Sequence, residues 1–235
     1  MRVSPLRGSL REGLRARLPE DRAVVSSMVH DGEHSIEALA PWLHHGHPER
    51  EILPVLVAPS TFEQLVPLAS AFASALSEVL DASRLELGRD VALAISADAI
   101  HYGADFGETR FGPGGPQAHA HARALDHALL TGPLAGPVTR AKVRDAYERW
   151  VDPMHPTNYR WTWCGRFSIP FGLLVLEQMG GAHGWPLAYA TSTSAPQLAL
   201  GEFGFGVTAP AEDGHFVGYP AAAYTARLAT SGDGL

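Results

Sequence analysis

The chain has 235 residues, of which 46% are hydrophobic and 18% are charged, a composition that indicates a folded globular protein and excludes a disordered one. Its formal net charge of −7 argues against a nucleic-acid-binding surface, and its longest apolar run is too short to cross a bilayer. We therefore expect a single domain over residues 1–235 in the cytoplasm, and the single cysteine excludes an internal disulfide.

The spacing of apolar residues predicts most of the helices. Leucines at every fourth position from Leu6 to Leu18 predict an amphipathic helix at the start of the chain, and a short strand is predicted at 22–29. The same helical spacing predicts five further helices, at 36–43, 61–80, 117–130, 139–150 and 168–179. Three histidines follow the first of these five in a polar loop, where we expect them to be exposed to solvent: His44, His45 and His47.

Two apolar runs, at 51–58 and 91–97, have the length and composition of buried strands. They flank the helix predicted at 61–80, and a strand, helix and strand in this order predict a right-handed crossover between two parallel strands. The sequence therefore predicts an α/β fold. Two shorter strands are predicted near the end of the chain, at 187–192 and 215–219.

Polar residues follow directly where the 91–97 run ends, with Asp98 first and His101 three residues later. The carboxyl ends of strands are where open α/β sheets place their ligands, so these two residues are the first candidates for a site. An alternative of equal weight is that Asp98 caps the following turn and His101 is an exposed loop residue.

Cys164 lies in the turn before the helix predicted at 168–179, and Arg166 is two residues away. A nearby cation and a helix N-terminus both favour the thiolate, which is the nucleophilic and metal-binding form of cysteine. The alternative is an inert, buried thiol, since free cysteines most often pack as small apolar residues.

Five segments, taken together and in order, resemble the Memo family, whose bacterial members are called AmmeMemoRadiSam system protein B. The family is similar in fold to the class III extradiol dioxygenases. The segments that carry the resemblance are Glu33-His-Ser-Ile-Glu37, Ile52-Leu-Pro-Val-Leu-Val57, Ile95-Ser-Ala-Asp-Ala-Ile-His-Tyr-Gly103, Cys164-Gly-Arg-Phe-Ser-Ile169, and Tyr189-Ala-Thr-Ser192 followed by Val217-Gly-Tyr219.

The resemblance implies a three-layer α/β/α fold with a mostly parallel central sheet and a site at the sheet edge. It implies that Cys164 is a metal ligand and that Asp98 and His101 are the other polar pair of the site, with His34 beside them. Iron or copper would be the metal, and a small aromatic or other organic molecule the substrate. The family's earlier section, which supplies two histidine ligands, has no counterpart here, so we expect the N-terminal part of the fold to be missing and the site to be incomplete.

Three functions remain open at this point. The first is a Memo-like oxidoreductase or dioxygenase with Cys164, His101 and Asp98 on a metal. The second is a metal-free hydrolase with Cys164 as nucleophile, His101 as its base and Asp98 orienting His101. The third is a non-catalytic binding protein. A sheet without its first strands would have an exposed edge, so we expect a homo-oligomer or a partner chain that covers it.

Overall fold

The computed structural model describes residues 5–194 and 211–226. Every predicted helix is confirmed to within a few residues. The helices are α1 Pro5–Arg17, α2 Ser27–Asp31, α3 Ser35–Gly46, α4 Phe62–Ser83, α5 Pro116–Thr131, α6 Arg140–Trp150 and α7 Ser168–Gln178. The strand predicted at 22–29 is wrong, because the Ser26 hydroxyl accepts the N–H of Val29 and so begins α2.

The strands form an antiparallel sheet and a separate hairpin. They are β1 His101–Tyr102, β2 Gly136–Pro137, β3 Val151–Asp152, β4 His155–Tyr159, β5 Ala182–Thr191 and β6 Phe216–Ala226. The sheet has the order β1-β6-β5-β2, and β3 pairs with β4. The predicted strands at 187–192 and 215–219 are confirmed as parts of β5 and β6. The fold is therefore mixed α/β, but each of these strand pairs is antiparallel, and a mostly parallel sheet is not seen.

The two apolar runs predicted as central strands account for this difference. Neither 51–57 nor 92–97 makes a backbone–backbone hydrogen bond with another described residue. Burial in the second run still alternates, with Leu93 and Ile95 partly buried and Ala92 and Ala94 exposed. An apolar pattern specifies which face of a segment is buried, whereas a strand also needs a neighbour to pair with, and the pattern carries no information about that neighbour.

The core forms mainly between α4 and α7. Thr61 begins α4 with a complete capping box, since its side chain accepts the N–H of Gln64 and the Gln64 side chain accepts the N–H of Thr61. Phe72 of α4 meets Phe171 of α7 edge to face, with ring centroids 5.4 Å apart. Within the described ranges, α4 is the one helix whose length and apolar composition would suffice to cross a bilayer. Nine of its residues are buried in the core, which accounts for that composition.

The region that contains α2 and α3 is packed quite differently. Neither helix has a buried residue, and Met28 and Trp42 are 79% and 77% exposed. The three histidines predicted to face solvent after residue 43 are all exposed. The core therefore draws on α4 to α7 and the sheet, whereas α3 meets the rest of the structure at its N-terminal end, where it approaches Ser96.

Candidate functional site

The candidate site lies where the segment 91–102 enters the sheet. Ala99 and Ile100 are fully buried, and β1 pairs His101 with Val217 of β6. The His101 Nε2 atom lies 3.7 Å from Asp98 Oδ2, and the two side chains are 24% and 41% exposed. The polar pair predicted from the sequence is therefore brought together, and solvent reaches both side chains.

Two carbonyl groups determine the tautomer of His101. Its Nδ1 atom lies 3.1 Å from the carbonyl oxygens of Ala99 and Thr162. Because both neighbours can only accept, Nδ1 carries the proton and donates it. The other ring nitrogen, Nε2, is then the one that can take up a proton or bind a ligand, and it faces Asp98.

Thr162 holds the backbone of the same histidine. Its hydroxyl accepts the N–H of His101 at 3.1 Å and donates to the carbonyl oxygen of His101 at 3.0 Å. The sequence analysis missed this residue. A threonine between two tryptophans carries no pattern that would single it out, since its role depends on a contact across 61 residues of chain.

Asp98 has a raised pKa because it is partly removed from water, and the charges of His101 and His34 oppose that rise. His34 is exposed at the N-terminal boundary of α3. The start of α3 is held at this edge because the Ser96 hydroxyl donates to the carbonyl oxygen of Ser35 at 2.8 Å. Tyr219, also missed, lies near enough for the Asp98 charge to contribute to raising its pKa.

Cys164 joins the site through the backbone of Asp98, whose N–H donates to the sulfur at 2.9 Å. Although part of Cys164 is exposed, the pKa of the thiol is raised, chiefly by partial removal from water. The backbone N–H groups of Asp98 and Gly165 oppose that rise, and the charges of Asp98 and Glu33 add to it. The prediction of a stabilised thiolate is therefore wrong. Its assumed cation, Arg166, instead lies over the ring of Tyr159, 3.4 Å from the centroid.

Gly165 allows the Cys164 turn to approach this closely. A Cβ at position 165 would overlap the Ala97 methyl group, and it would lie 2.9 Å from Ile169 Cδ1. The absence of a side chain at Gly165 thus lets the turn pack directly on the segment that ends at Asp98.

The four predicted site residues share one edge of the structure, yet they do not form a metal centre. Among residues 5–194 and 211–226, no group of three or more His, Cys, Asp or Glu side chains is arranged to hold a metal ion. An iron or copper site in a protein normally has at least three protein ligands of suitable type. The donors of the described residues therefore do not fit either metal by themselves.

An aromatic surface borders His101. Phe106 meets the His101 ring edge to face at 5.2 Å and stacks on His215 at 4.9 Å. It also lines an open depression of about 530 Å³ together with Arg110 and Thr162. Neighbouring aromatic residues are less accessible than Phe106, since Trp161 and Trp163 are buried and Phe111 packs against Trp161.

Asp126 is a second carboxyl group that the sequence analysis missed. It is completely buried and accepts four hydrogen bonds. The donors are the indole N–H groups of Trp161 and Trp163 at 2.7 and 2.6 Å, the Tyr189 hydroxyl at 2.6 Å and the Ile100 N–H at 3.1 Å. Burial raises its pKa, and these hydrogen bonds act in the opposite direction. An aspartate on the buried face of α5 was the available signal.

The family model described as Memo-like protein matches residues 12–200, a range that contains Asp98, His101, Cys164 and His34. No curated protein matches the chain.

Proposed function

The chain belongs to the Memo-like protein family, and on this basis we propose that it acts as a Memo-type redox or metal-binding protein. Its own contribution would be Cys164, His101 and Asp98, supported by His34. The observation that carries this proposal is the convergence of a thiol, an imidazole and a carboxyl group at one solvent-accessible edge. Because these donors do not complete an iron or copper site, the proposal requires further ligands from outside the described residues.

The side chains that are present suit proton transfer to or from a small organic molecule. With Nδ1 donating to two carbonyl oxygens, His101 would exchange protons at Nε2, and the Asp98 carboxylate at 3.7 Å would stabilise the imidazolium that forms. An aromatic or phenolic substrate beside Phe106 would lie next to that nitrogen. The order of the family motifs along the chain leads us to extend the proposal to an activity of the dioxygenase type, a three-layer extradiol dioxygenase-like fold and membership of the AmmeMemoRadiSam subfamily. The single free thiol leads us to propose a cytoplasmic location.

A metal titration tests the proposal. We expect the full chain to bind Cu(I) or Fe(II) anaerobically with a stoichiometry near one, and Cys164→Ser to bind at least about tenfold more weakly, because a thiolate ligand is lost. His45→Ala is the matched control, since it removes a candidate ligand that is exposed and remote from the site. Equal metal affinity in Cys164→Ser and His45→Ala would exclude Cys164 as a ligand.

A non-catalytic binding role is the second candidate, and the incomplete donor set favours it. If the titration shows no specific binding of either metal by the unmodified chain, this second function replaces the first. A cysteine hydrolase is disfavoured, because the raised thiol pKa reduces the thiolate population and His101 Nε2 faces Asp98.

A further inference from the structure

An apolar groove of about 480 Å³ opens beside the site, between the segment 92–97 and β6. Ala94 and Ala222 line it from these two segments, and Leu130 of α5 and Ile169 and Leu176 of α7 also line it. We call the two segments its walls and the three helix residues its floor. All of the residues that line the groove are uncharged. The groove therefore lacks a charged group that would select a charged small molecule.

The two walls lead directly into residues that pair with each other, since 92–97 precedes β1 and 220–224 belongs to β6, and β1 pairs with β6. The N–H of Ala99 donates to the carbonyl oxygen of Gly218, and the N–H of Gly218 donates to that of Ile100. Before Ala99 this pairing stops, and the groove separates 92–97 from 220–224 of β6. The walls thus separate at Asp98, where the backbone N–H bonds to Cys164 instead of to β6.

Backbone groups in both walls have no backbone partner among the described residues. Residues 92–97 make no backbone–backbone hydrogen bond there, and β6 is paired on its other side with β5. Such edges are the templates on which an additional strand forms. A lipid or a small apolar ligand would fill the apolar floor but would leave these amide and carbonyl groups unpaired, which is costly where water is excluded.

We propose that this groove binds an extended segment of a separate polypeptide chain, which adds a strand between 92–97 and β6. The chemistry of the groove specifies that segment. It is uncharged over about five or six residues, it has apolar side chains at alternate positions to face Leu130, Ile169 and Leu176, and its backbone pairs with both walls. This interaction is independent of any metal chemistry at Cys164.

A designed peptide tests the proposal on the full chain. The probe is a fluorescent, end-blocked Lys-Thr-Val-Thr-Val-Thr-Val-Lys peptide. Its control has the same side chains but N-methyl groups on two threonines, which remove two backbone donors and block the edge of the added strand. We expect saturable binding of the probe by fluorescence anisotropy and binding of the methylated peptide at least about tenfold weaker. Hydrogen exchange should slow at 92–97 when the probe binds.

Substitutions in the two walls locate the interaction. Ala94→Arg and Ala222→Arg each add a long, positively charged side chain to one wall, where it crowds the added strand and repels the lysines of the probe, and each should weaken probe binding at least about tenfold. Ala141→Arg, on the exposed face of α6, is the matched control and should bind as the unmodified chain does. Circular dichroism checks that each variant is folded. If one is not, the comparison of the two peptides still tests the proposal, because it uses the unmodified chain.

Four outcomes would overturn the proposal. They are absence of saturable probe binding, equal affinity for the methylated peptide, protection confined to regions other than 92–97, and equal affinity of the Ala94→Arg and Ala141→Arg variants. A dimer that Ala94→Arg dissociates would identify a second copy of the chain as the occupant instead. Binding that appears only after replacement of residues 195–210 by a Gly-Ser linker would identify that segment as the occupant.

Discussion

Asp98 and Asp126 are two carboxyl groups next to the buried residues Ala99 and Ile100, and their surroundings differ in burial and in hydrogen bonding. Asp126 is fully buried and accepts hydrogen bonds from four donors. The Asp98 side chain is 41% exposed, and its Oδ2 atom lies 3.7 Å from His101 Nε2. Desolvation raises the pKa of both. Asp126 thus maintains the fold through its hydrogen bonds, whereas the Asp98 side chain stays accessible to solvent.

The two regions are mechanically connected. Asp126 accepts the N–H of Ile100, the residue before His101, and Gly218 approaches it so closely that an added Cβ would lie 2.7 Å from Oδ2. Ala99 and Gly218 are also paired through their backbones. The buried carboxyl group therefore determines where β1 meets β6, and through β1 it determines where the His101 ring is presented.

The largest expected effect comes from removing the buried carboxyl group. Asp126→Ala leaves two indole N–H groups and a tyrosine hydroxyl unpaired in the core, so we expect a loss of about 3–5 kcal/mol in the free energy of unfolding. Asp98→Ala, the matched control, should change it by less than about 1 kcal/mol because its ion pair is exposed to solvent. Urea titrations followed by tryptophan fluorescence measure both. A smaller loss in Asp126→Ala than in Asp98→Ala would reverse the roles assigned to the two residues.

A smaller effect on stability is expected from Gly165, which lies at the solvent-accessible site around Asp98; we call this site the open side. Gly165→Ala forces a methyl group against Ala97 and Ile169, and we expect a loss of about 1–3 kcal/mol from overpacking. Gly8→Ala in α1 is the control, since nothing lies within 4 Å of a Cβ there, and it should stabilise the helix by about 0.5–1 kcal/mol. Thermal and urea unfolding of the two variants measure the difference. Equal stabilities would show that the Cys164 turn moves freely.

The sequence carries enough information for the helices and for part of the site. The helices α4, α5 and α6 bury residues that recur with the helical period, and Asp98 and His101 follow directly after an apolar run. The pairing of that run was not predictable, because alternation at 91–95 indicates a buried face without indicating a neighbouring strand. The local sequence therefore predicted the position of the extended segment correctly, but it also predicted strand pairing that 92–97 does not make with the described residues.

The rest of the site depends on contacts between residues far apart in the chain. The hydroxyl of Thr162 and the donors around Asp126 come from positions 26 to 63 residues away from the groups they bind. The pKa of Cys164 was misjudged for the same reason, because the thiol packs against the backbone of Asp98, 66 residues away, and is partly removed from water there, while Arg166 lies over Tyr159. Nearness in sequence indicated a cation beside the thiol, and packing placed that cation elsewhere.

Thr162 offers a finer test of how the open side is held. Thr162→Val keeps the shape but leaves the His101 N–H without its hydroxyl acceptor, and we expect a loss of about 1–2 kcal/mol in the free energy of unfolding. Thr162→Ser keeps the hydroxyl and should recover most of that loss. Histidine NMR signals provide the second measurement, since the His101 ring resonances should shift in the valine variant and remain near their original positions in the serine variant. Unchanged signals in both would show that Thr162 does not position the ring.

The smallest effect concerns the charge of Asp98 itself. Because the ionised carboxylate raises the pKa of the Cys164 thiol, Asp98→Asn should lower that pKa, increase the thiolate fraction at pH 7.5 and speed iodoacetamide labelling about two- to fivefold. Glu37→Gln removes the same charge from an exposed position on α3 and should leave the rate unchanged. In the unmodified chain the difference should vanish as the pH falls through the pKa of Asp98, which lies above its usual value of 3.8, because the protonated carboxyl group no longer repels the thiolate. If Asp98→Asn slows labelling, the carboxylate assists the thiol, and the open side would then resemble the buried one in using its aspartate to stabilise its neighbours.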